Sequence, residues 1–384
     1  MEPPAGVRVH GRDQQGAGPP GCDAASRAVR SGLPPLATPD AFYRGRRLVS
    51  LEGTTLDVAN TPAHAAHFDR PVSGRREGAA FPQLRTVALA ECGTHAMFAA
   101  AMGSCTTGEP AFAKALVGAL RPAMLRLADR GFTAYPVWSA AAESGADLVW
   151  QAKGNAVLPV LERHPDGSHA SELVAADDPR LEHPLPVRVV EYALDDPDRP
   201  QSEAARYRLV TTLRDPGVAA AELAALYSER WDFESALDEL KTHLGGPRVV
   251  VRSRTVEGVY QEAWGFCCVH CALRPLLSAA ADDGDLDPDR LSFTRALRAA
   301  RRSVPAGVCA GRRPALALRR AIAETLAGLL PPRRCGPRPA WSSARCRTFG
   351  SSARSTAPGP NRPSGRSRPL GSALLPKLSV SGLG

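Results

Sequence analysis

Leu-Tyr-Ser-Glu-Arg-Trp-Asp-Phe-Glu-Ser-Ala-Leu-Asp-Glu-Leu-Lys, residues 226 to 241, is the stretch around which the chain is organised. At about 3.6 residues per turn, Tyr227, Arg230, Glu234 and Lys241 share one stripe of a helix, with Asp238 on the same face. Leu226, Phe233, Leu237, Leu240 and Leu244 supply the apolar positions that pack such a helix onto a core. One side is made to be buried, and the other carries a phenol, a guanidinium, carboxylates and an ammonium. A surface amphipathic helix laced with ion pairs gives the same pattern.

The order Tyr, two residues, Arg, three residues, Glu, six residues, Lys, as it stands at Tyr227, Arg230, Glu234 and Lys241, resembles the signature of the insertion sequence four-type bacterial transposases. The Thr-His-Leu after Lys241 and the Val-Val-Val-Arg-Ser-Arg-Thr from Val249 are similar to the same family. The resemblance runs from about Phe42 to Arg334. It implies an α/β fold of RNase H-like class, a mixed sheet flanked by helices with a strand-rich insertion before the last catalytic helix. It further implies three acids holding two divalent ions, Mg2+ or Mn2+, because hard ions of that kind prefer carboxylate oxygens and water.

In that resemblance Glu234 is the third acid, on the signature helix. Asp129, in Leu-Ala-Asp-Arg-Gly-Phe, closes a short apolar strand where the second acid belongs, although a turn-capping aspartate would read the same. The first acid departs from the pattern. The family has Asp before Gly-Thr-Thr, and this chain has Ser50-Leu-Glu-Gly-Thr-Thr-Leu-Asp, with Glu52 at the position. Glutamate keeps the charge but moves the carboxylate out by a methylene, a displacement that a two-ion site tolerates poorly. Asp57 falls on the opposite face of the strand, unless a bulge at Gly53 inverts the alternation. Arg230 and Lys241 are expected to grip phosphates, with Tyr227 capping one, or Arg230 to pair with Glu234 when DNA is absent. Arg252 and Arg254 are expected to add backbone contacts, or to be solvated surface.

Composition narrows the rest. A chain of 384 residues with 43% hydrophobic residues can fill a substantial core. The net charge of +9 is uneven, since the stretch from Pro331 onward carries ten Arg and Lys and no acid, leaving the first 330 residues at −1. Any nucleic-acid face on the body must therefore be a local cluster. Nine cysteines without a secreted framework, and no N-terminal signal, fit a reduced bacterial cytoplasm and association with the nucleoid. Cys267, Cys268, His270 and Cys271 are close in sequence, but no second pair at zinc-finger spacing accompanies them, so they read as small residues of a buried helix. The apolar run from Phe266 to Ala281 is broken by His270, Arg274 and Pro275 and is not read as a membrane span. No Gly-x-Ser-x-Gly elbow, phosphate-binding Gly-Lys-Ser/Thr loop or His-Glu-x-x-His helix is present.

Along the chain, residues 1–41 are rich in Pro, Gly and Arg and read as a disordered arm; residues 42–330 are the expected catalytic domain; residues 331–384 read as a disordered basic tail. Strands are expected at Leu48 to Val58, Leu84 to Cys92 and His95 to Met102, turning at Gly93-Thr94, then at Met124 to Ala128 and Asp147 to Ala152. Residues 155 to 213 are the strand-rich insertion, and helices follow to about Leu244, from Gly258 to Ala280, from Pro288 to Arg302 and over 314 to 329. The resemblance fails at both ends, as truncated or frameshifted text would. The function expected is metal-dependent cleavage and strand transfer at the terminal inverted repeats of a mobile element, impaired by Glu52. A non-catalytic DNA-binding remnant is the alternative. The partners implied are element ends, target DNA and a second copy of the chain as a homodimer on DNA, with no membrane.

Overall fold

The computed structural model describes residues 41–71, 80–175, 184–193, 206–228, 230, 237, 239–244, 250–310, 314–330 and 347–348. The chain divides into two compact units, residues 1–150 with 229–331 and residues 151–228 with 332–384.

In the first unit a short strand Phe42–Tyr43 (β1) turns into a twelve-residue strand, Arg46–Asp57 (β2). Thr61 then caps a helix at Pro62–Phe68 (α1) by accepting from the His64 N–H at 3.2 Å. Gln83–Glu91 (β3) and Met97–Ser104 (β4) follow as an antiparallel hairpin whose turn is built on Gly93, at φ 64°. A helix at Glu109–Leu116 (α2) leads to Met124–Ala128 (β5), and a helix at Tyr135–Glu143 (α3) to Asp147–Gln151 (β6).

β2 runs antiparallel to β3 and parallel to β5, and β5 parallel to β6, giving the order β4, β3, β2, β5, β6. This is the mixed α/β sheet expected of an RNase H-like domain. Central strands covered on both faces read as continuous apolar runs. Accordingly Leu48, Val49, Leu51, Leu125 and Leu127 are all fully buried.

On one face Trp138 of α3 meets Trp150 edge-on, with ring centroids 4.8 Å apart. Arg126 lies over the same Trp150 ring at 4.8 Å, and burial pushes its guanidinium down to about 9. On the other face Leu56, Leu84, Ala88 and Ala90 pack with Val259, Ala263, Trp264 and Cys267. Those four belong to a long helix, Val256–Gly284 (α5). That helix is long and apolar enough to cross a membrane by length and composition, yet 56% of its most apolar window is buried inside the protein. Burial pushes the Cys271 thiol up to about 12 and Cys267 higher still, so both are protonated packing groups. The Cys271 Sγ meets the Met97 carbonyl at 3.2 Å. His270 is pushed down by burial to about 3, beside Arg274 and Glu239.

The second unit, which contains the expected insertion, holds Glu162–Arg163 (β7), His169–Leu173 (β8), Leu185–Ala193 (β9), Arg206–Thr211 (β10) and the helix Ala220–Ser228 (α4). β7 to β10 form an antiparallel run, and Arg347–Thr348 (β11) adds to β9. At its centre is Arg188, wholly buried. Arg188 donates to Ser168 Oγ at 2.8 Å, to the Val218 and Asp215 carbonyls at 2.7 and 3.0 Å, and to the Asp166 carboxylate. Partial burial works to raise Asp166, but the Ser168 hydroxyl and N–H, the Ala220 N–H and Arg188 outweigh it and hold the carboxyl below its ordinary value. A carboxyl lowered by folding contributes stability above its unfolded pKa and loses it as pH falls through the folded pKa. Amide protection in β8 and β9 is therefore expected to drop as pH falls below about 4, the ordinary carboxylate range. Asp166→Asn is expected to flatten that dependence when hydrogen exchange is followed against pH; an unchanged slope would assign it to other groups.

Candidate functional site

Nine consecutive residue pairs, Val49 to Asp57, join β2 to β3 without a break. No bulge at Gly53 inverts the alternation, so Asp57 and Glu52 face opposite sides. Asp57 accepts from Gln83 Nε2 at 2.7 Å. Glu52 pairs across to Ala88, one of the core residues on the face covered by the long helix. The parallel ladder from β2 to β5 ends at Leu51 and Ala128. Glu52 and Asp129 are the next residues of the two segments beyond that ladder, Glu52 within β2 and Asp129 just past β5, 77 positions apart in the chain.

Asp129 caps the short turn Arg130–Phe132, its Oδ1 accepting from the Gly131 N–H at 2.8 Å. The turn-capping role and the position at the strand end are both realised. Beside it stands a carboxylate that the sequence reading does not single out. Glu109, the first residue of α2, reaches back over two glycines, Gly53 inside β2 and Gly131 in the turn after β5. A Cβ on Gly53 would meet Glu109 Oε1 at 2.8 Å, and one on Gly131 would meet Glu109 Oε2 at 3.2 Å and Asp129 Oδ1 at 3.0 Å. A side chain at either position would require these carboxylates to shift. Arg85 Nη1 lies 3.9 Å from Glu109 Oε1. The signals available in sequence were an acid at the start of a helix and a glycine one or two places after each acid.

Arg230 forms an ion pair with Glu52, Nη1 to Oε1, in which the two side chains are only 6% and 9% exposed. The expected alternative, a pair with Glu234, cannot be compared, because Glu234 lies outside the described residues. Among the described residues no three His, Cys, Asp or Glu side chains gather as a metal-binding set. Of the expected acids, Glu52 within β2 is engaged by a guanidinium and Asp129 just past β5 by a backbone N–H.

The remaining residues of the expected stripe separate. Tyr227 is buried at the end of α4 in the second unit, and its hydroxyl donates to Gln151 Oε1 at 3.4 Å. Lys241 is exposed, in a π-helical turn at Glu239–Leu244. A π turn closes i to i+5 hydrogen bonds, so the 3.6-residue period does not hold within Glu239–Leu244. Arg252 and Arg254 are exposed and line a depression of about 440 Å³ with Asn60, Thr61 and Phe81. Their backbone is fixed by Glu262, which accepts from the Arg252 and Ser253 N–H groups at 3.1 Å each, and by the Val58 to Val251 bridge. Val58 is six residues beyond Glu52, about 20 Å along the strand.

Residues 43–272 match the family model described as the Transposase DDE domain. The match spans more than half of the chain, which belongs to this family. Transposase InsG for insertion sequence element IS4 of Escherichia coli (strain K12) is 27% identical over 263 residues, covering 67% of this chain. The chain spans 58% of the length of that relative. Among solved structures, the cryo-EM structure of a piggyBac transposase synaptic complex with hairpin DNA is similar at a TM-score of 0.42 and 13% identity, covering 77% of this chain and 58% of that one.

Removing one partner of a buried ion pair leaves the other charge uncompensated, at a cost of about 3–5 kcal/mol. Arg230→Met is expected to lower unfolding free energy by about that amount in urea titrations, and Arg230→Met with Glu52→Leu to recover most of it. A single substitution costing under about 1 kcal/mol, as exposed pairs do, would mean that the pair is not held in solution.

Proposed function

We propose that this chain is a transposase of the DDE class, acting by divalent-ion-dependent cleavage and strand transfer at the ends of an insertion sequence. Glu52, Asp129 and Glu234 are its acids. What supports the reading is the parallel pairing of β2 with β5, which runs up to Leu51 and Ala128, the residues just before Glu52 and Asp129. Two carboxylates so placed fit hard divalent ions, Mg2+ or Mn2+. Bound there, two such ions would activate the attacking water or 3′-hydroxyl and stabilise the leaving oxygen. The chain's own residues have other tasks. Asp129 is oriented by the Gly131 N–H, and Glu109 packs closely on Gly53 of β2 and on Gly131. Arg252 and Arg254, exposed beside their depression, and exposed Lys241 are contacts for the phosphodiester backbone. Tyr227, being buried, is assigned to packing. The partners are double-stranded DNA, as element ends and as target, and a second copy of the chain on that DNA, in the bacterial cytoplasm.

The same geometry supports impairment. Glu52 stands where the resemblance has an aspartate, and its extra methylene carries the carboxylate to the Arg230 guanidinium. A carboxylate already neutralised by a buried cation has less to offer a divalent ion.

Cleavage of a duplex carrying the element's inverted repeat, with Mg2+ or Mn2+, tests both parts. The wild-type chain is expected to cut slowly, Glu52→Asp at least about tenfold faster, and Glu52→Asp with Asp129→Asn not at all; misplacing a reacting group by about 1 Å costs on the order of 100-fold. Cutting that survives Asp129→Asn would remove that residue from the site. Inactivity of both Glu52 forms, with duplex binding retained, would favour the non-catalytic DNA-binding remnant.

A further inference from the structure

The arginines of the last two helices, Phe293–Ala310 (α6) and Pro314–Leu326 (α7), have no part in the site above. They lie beyond the matched residues 43–272. Residues 291–330 hold eight arginines and a single acid, Glu324, a net +7. Because residues 1–330 sum to −1, residues 1–290 sum to −8. Residues 1–290 are therefore net acidic, and the net positive charge within residues 1–330 falls in this segment, six of whose eight arginines are on the two helices.

Packing decides which face carries it. Ala296, Leu297 and Ala299 of α6 and Ala321 of α7 are buried with Leu273, Leu277 and Ala280 of the long helix, fixing the inner face. Arg295, Arg298, Arg301 and Arg302 are then exposed on α6, and Arg319 and Arg320 on α7. Arg295, Arg298 and Arg302, at i, i+3 and i+7, form one row beside a groove of about 330 Å³ shared with Glu324 and Ala327. Arg295 crosses the Gly328 backbone so closely that a Cβ there has no room, so the stem of this side chain is laid along the groove. Glu324 accepts from Arg302 Nε at 3.2 Å, an exposed pair that offsets one charge and leaves the others. The row from Arg295 to Arg302 spans about 10 Å of helix. One strand of a duplex presents about three phosphates over that length.

We propose that the α6–α7 face is a second DNA-docking surface, separate from the carboxylate site, which binds the phosphodiester backbone of a duplex without regard to sequence. Arginine forks suit phosphate oxygens, and a row of guanidiniums with no base-reading amides gives affinity and position but not specificity. The choice of DNA over other polyanions rests on the transposase reading above; the existence of an anion-binding face does not.

The test uses the full chain and a labelled duplex of unrelated sequence, with anisotropy measured across 50–200 mM salt. Arg295→Gln, Arg298→Gln and Arg301→Gln are combined, which spares the Arg302–Glu324 pair. The slope of log affinity against log salt is expected to become shallower by about 2 to 3, at about 0.9 per phosphate contact, with roughly tenfold or greater weakening at 100 mM. The same three positions as Lys are expected to keep the wild-type slope, which separates lost charge from lost folding. The ten cations beyond Pro331 are common to every variant and cancel in the difference. An unchanged slope in the Gln variant overturns the proposal. So does a wild-type chain that ignores the duplex but binds anionic lipid vesicles, a result that Leu316 and Leu318, exposed beside Arg319, would then explain. A chain that shows the slope difference yet cleaves no inverted repeat upholds this face and sinks only the assignment of the carboxylates.

Discussion

Everything in the first unit depends on the pairing of β2 with strands of opposite direction on its two edges. Antiparallel pairing with β3 sets which residues of β2 face the long helix, and parallel pairing with β5 sets which end of β5 lies beside Glu52. Side chains alternate with a period of two, so a slip of one residue in either ladder would exchange the two faces. That slip would turn Asp57 toward Leu84 and Ala88, move Leu56 out of that cluster and turn Glu52 away from Arg230. The apolar cluster under the long helix and the tryptophan pair on the other face hold the register from both sides.

Glu52 is the point where this framework meets charge. It emerges from a strand whose neighbours are fully buried, and at 7% exposure it is a charge with little water around it. A carboxylate in that position requires a cation, and Arg230 provides one. The glycines on either side have a related origin. Gly53 and Gly131 are spaces into which the Glu109 carboxylate fits, so the Glu-Gly-Thr-Thr and Asp-Arg-Gly-Phe stretches are shaped by a third acid as well as by their own.

Much of this was legible in the sequence because it is local. The runs around Leu48 to Val58 and Met124 to Ala128 are apolar on both parities, as doubly covered strands must be, and Gly93 marks its hairpin by a positive φ. The opposite facing of Asp57 and Glu52 followed from period alone. What was not legible depends on distant partners or on a broken period. Tyr227 looked polar on a helical wheel, but its neighbours Leu223, Ala224 and Leu226 are buried with it, and a phenol accommodates that by one hydrogen bond to Gln151. Lys241 stands in a π turn at Glu239–Leu244, and no residue type announces such a turn. The charge of the body was misjudged as a sum: −1 over 330 residues conceals −8 and +7 in different places. Arg126 buried over Trp150, and Glu109 between two glycines, are tertiary facts with at most a faint local trace.

The Glu52–Arg230 pair also has a bearing on how this chain comes apart. Its partners are 178 positions apart, so the pair closes a loop that runs from β2 through β6 and on through residues 151–228. Contacts of such separation bring little return until the chain between them is ordered, and they are made late in folding. Interactions formed after the transition state act on the rate of unfolding far more than on the rate of folding. The pair thus serves as a latch: it hardly speeds the assembly of the sheet, but it lengthens the time for which Arg230, once docked on β2, stays there.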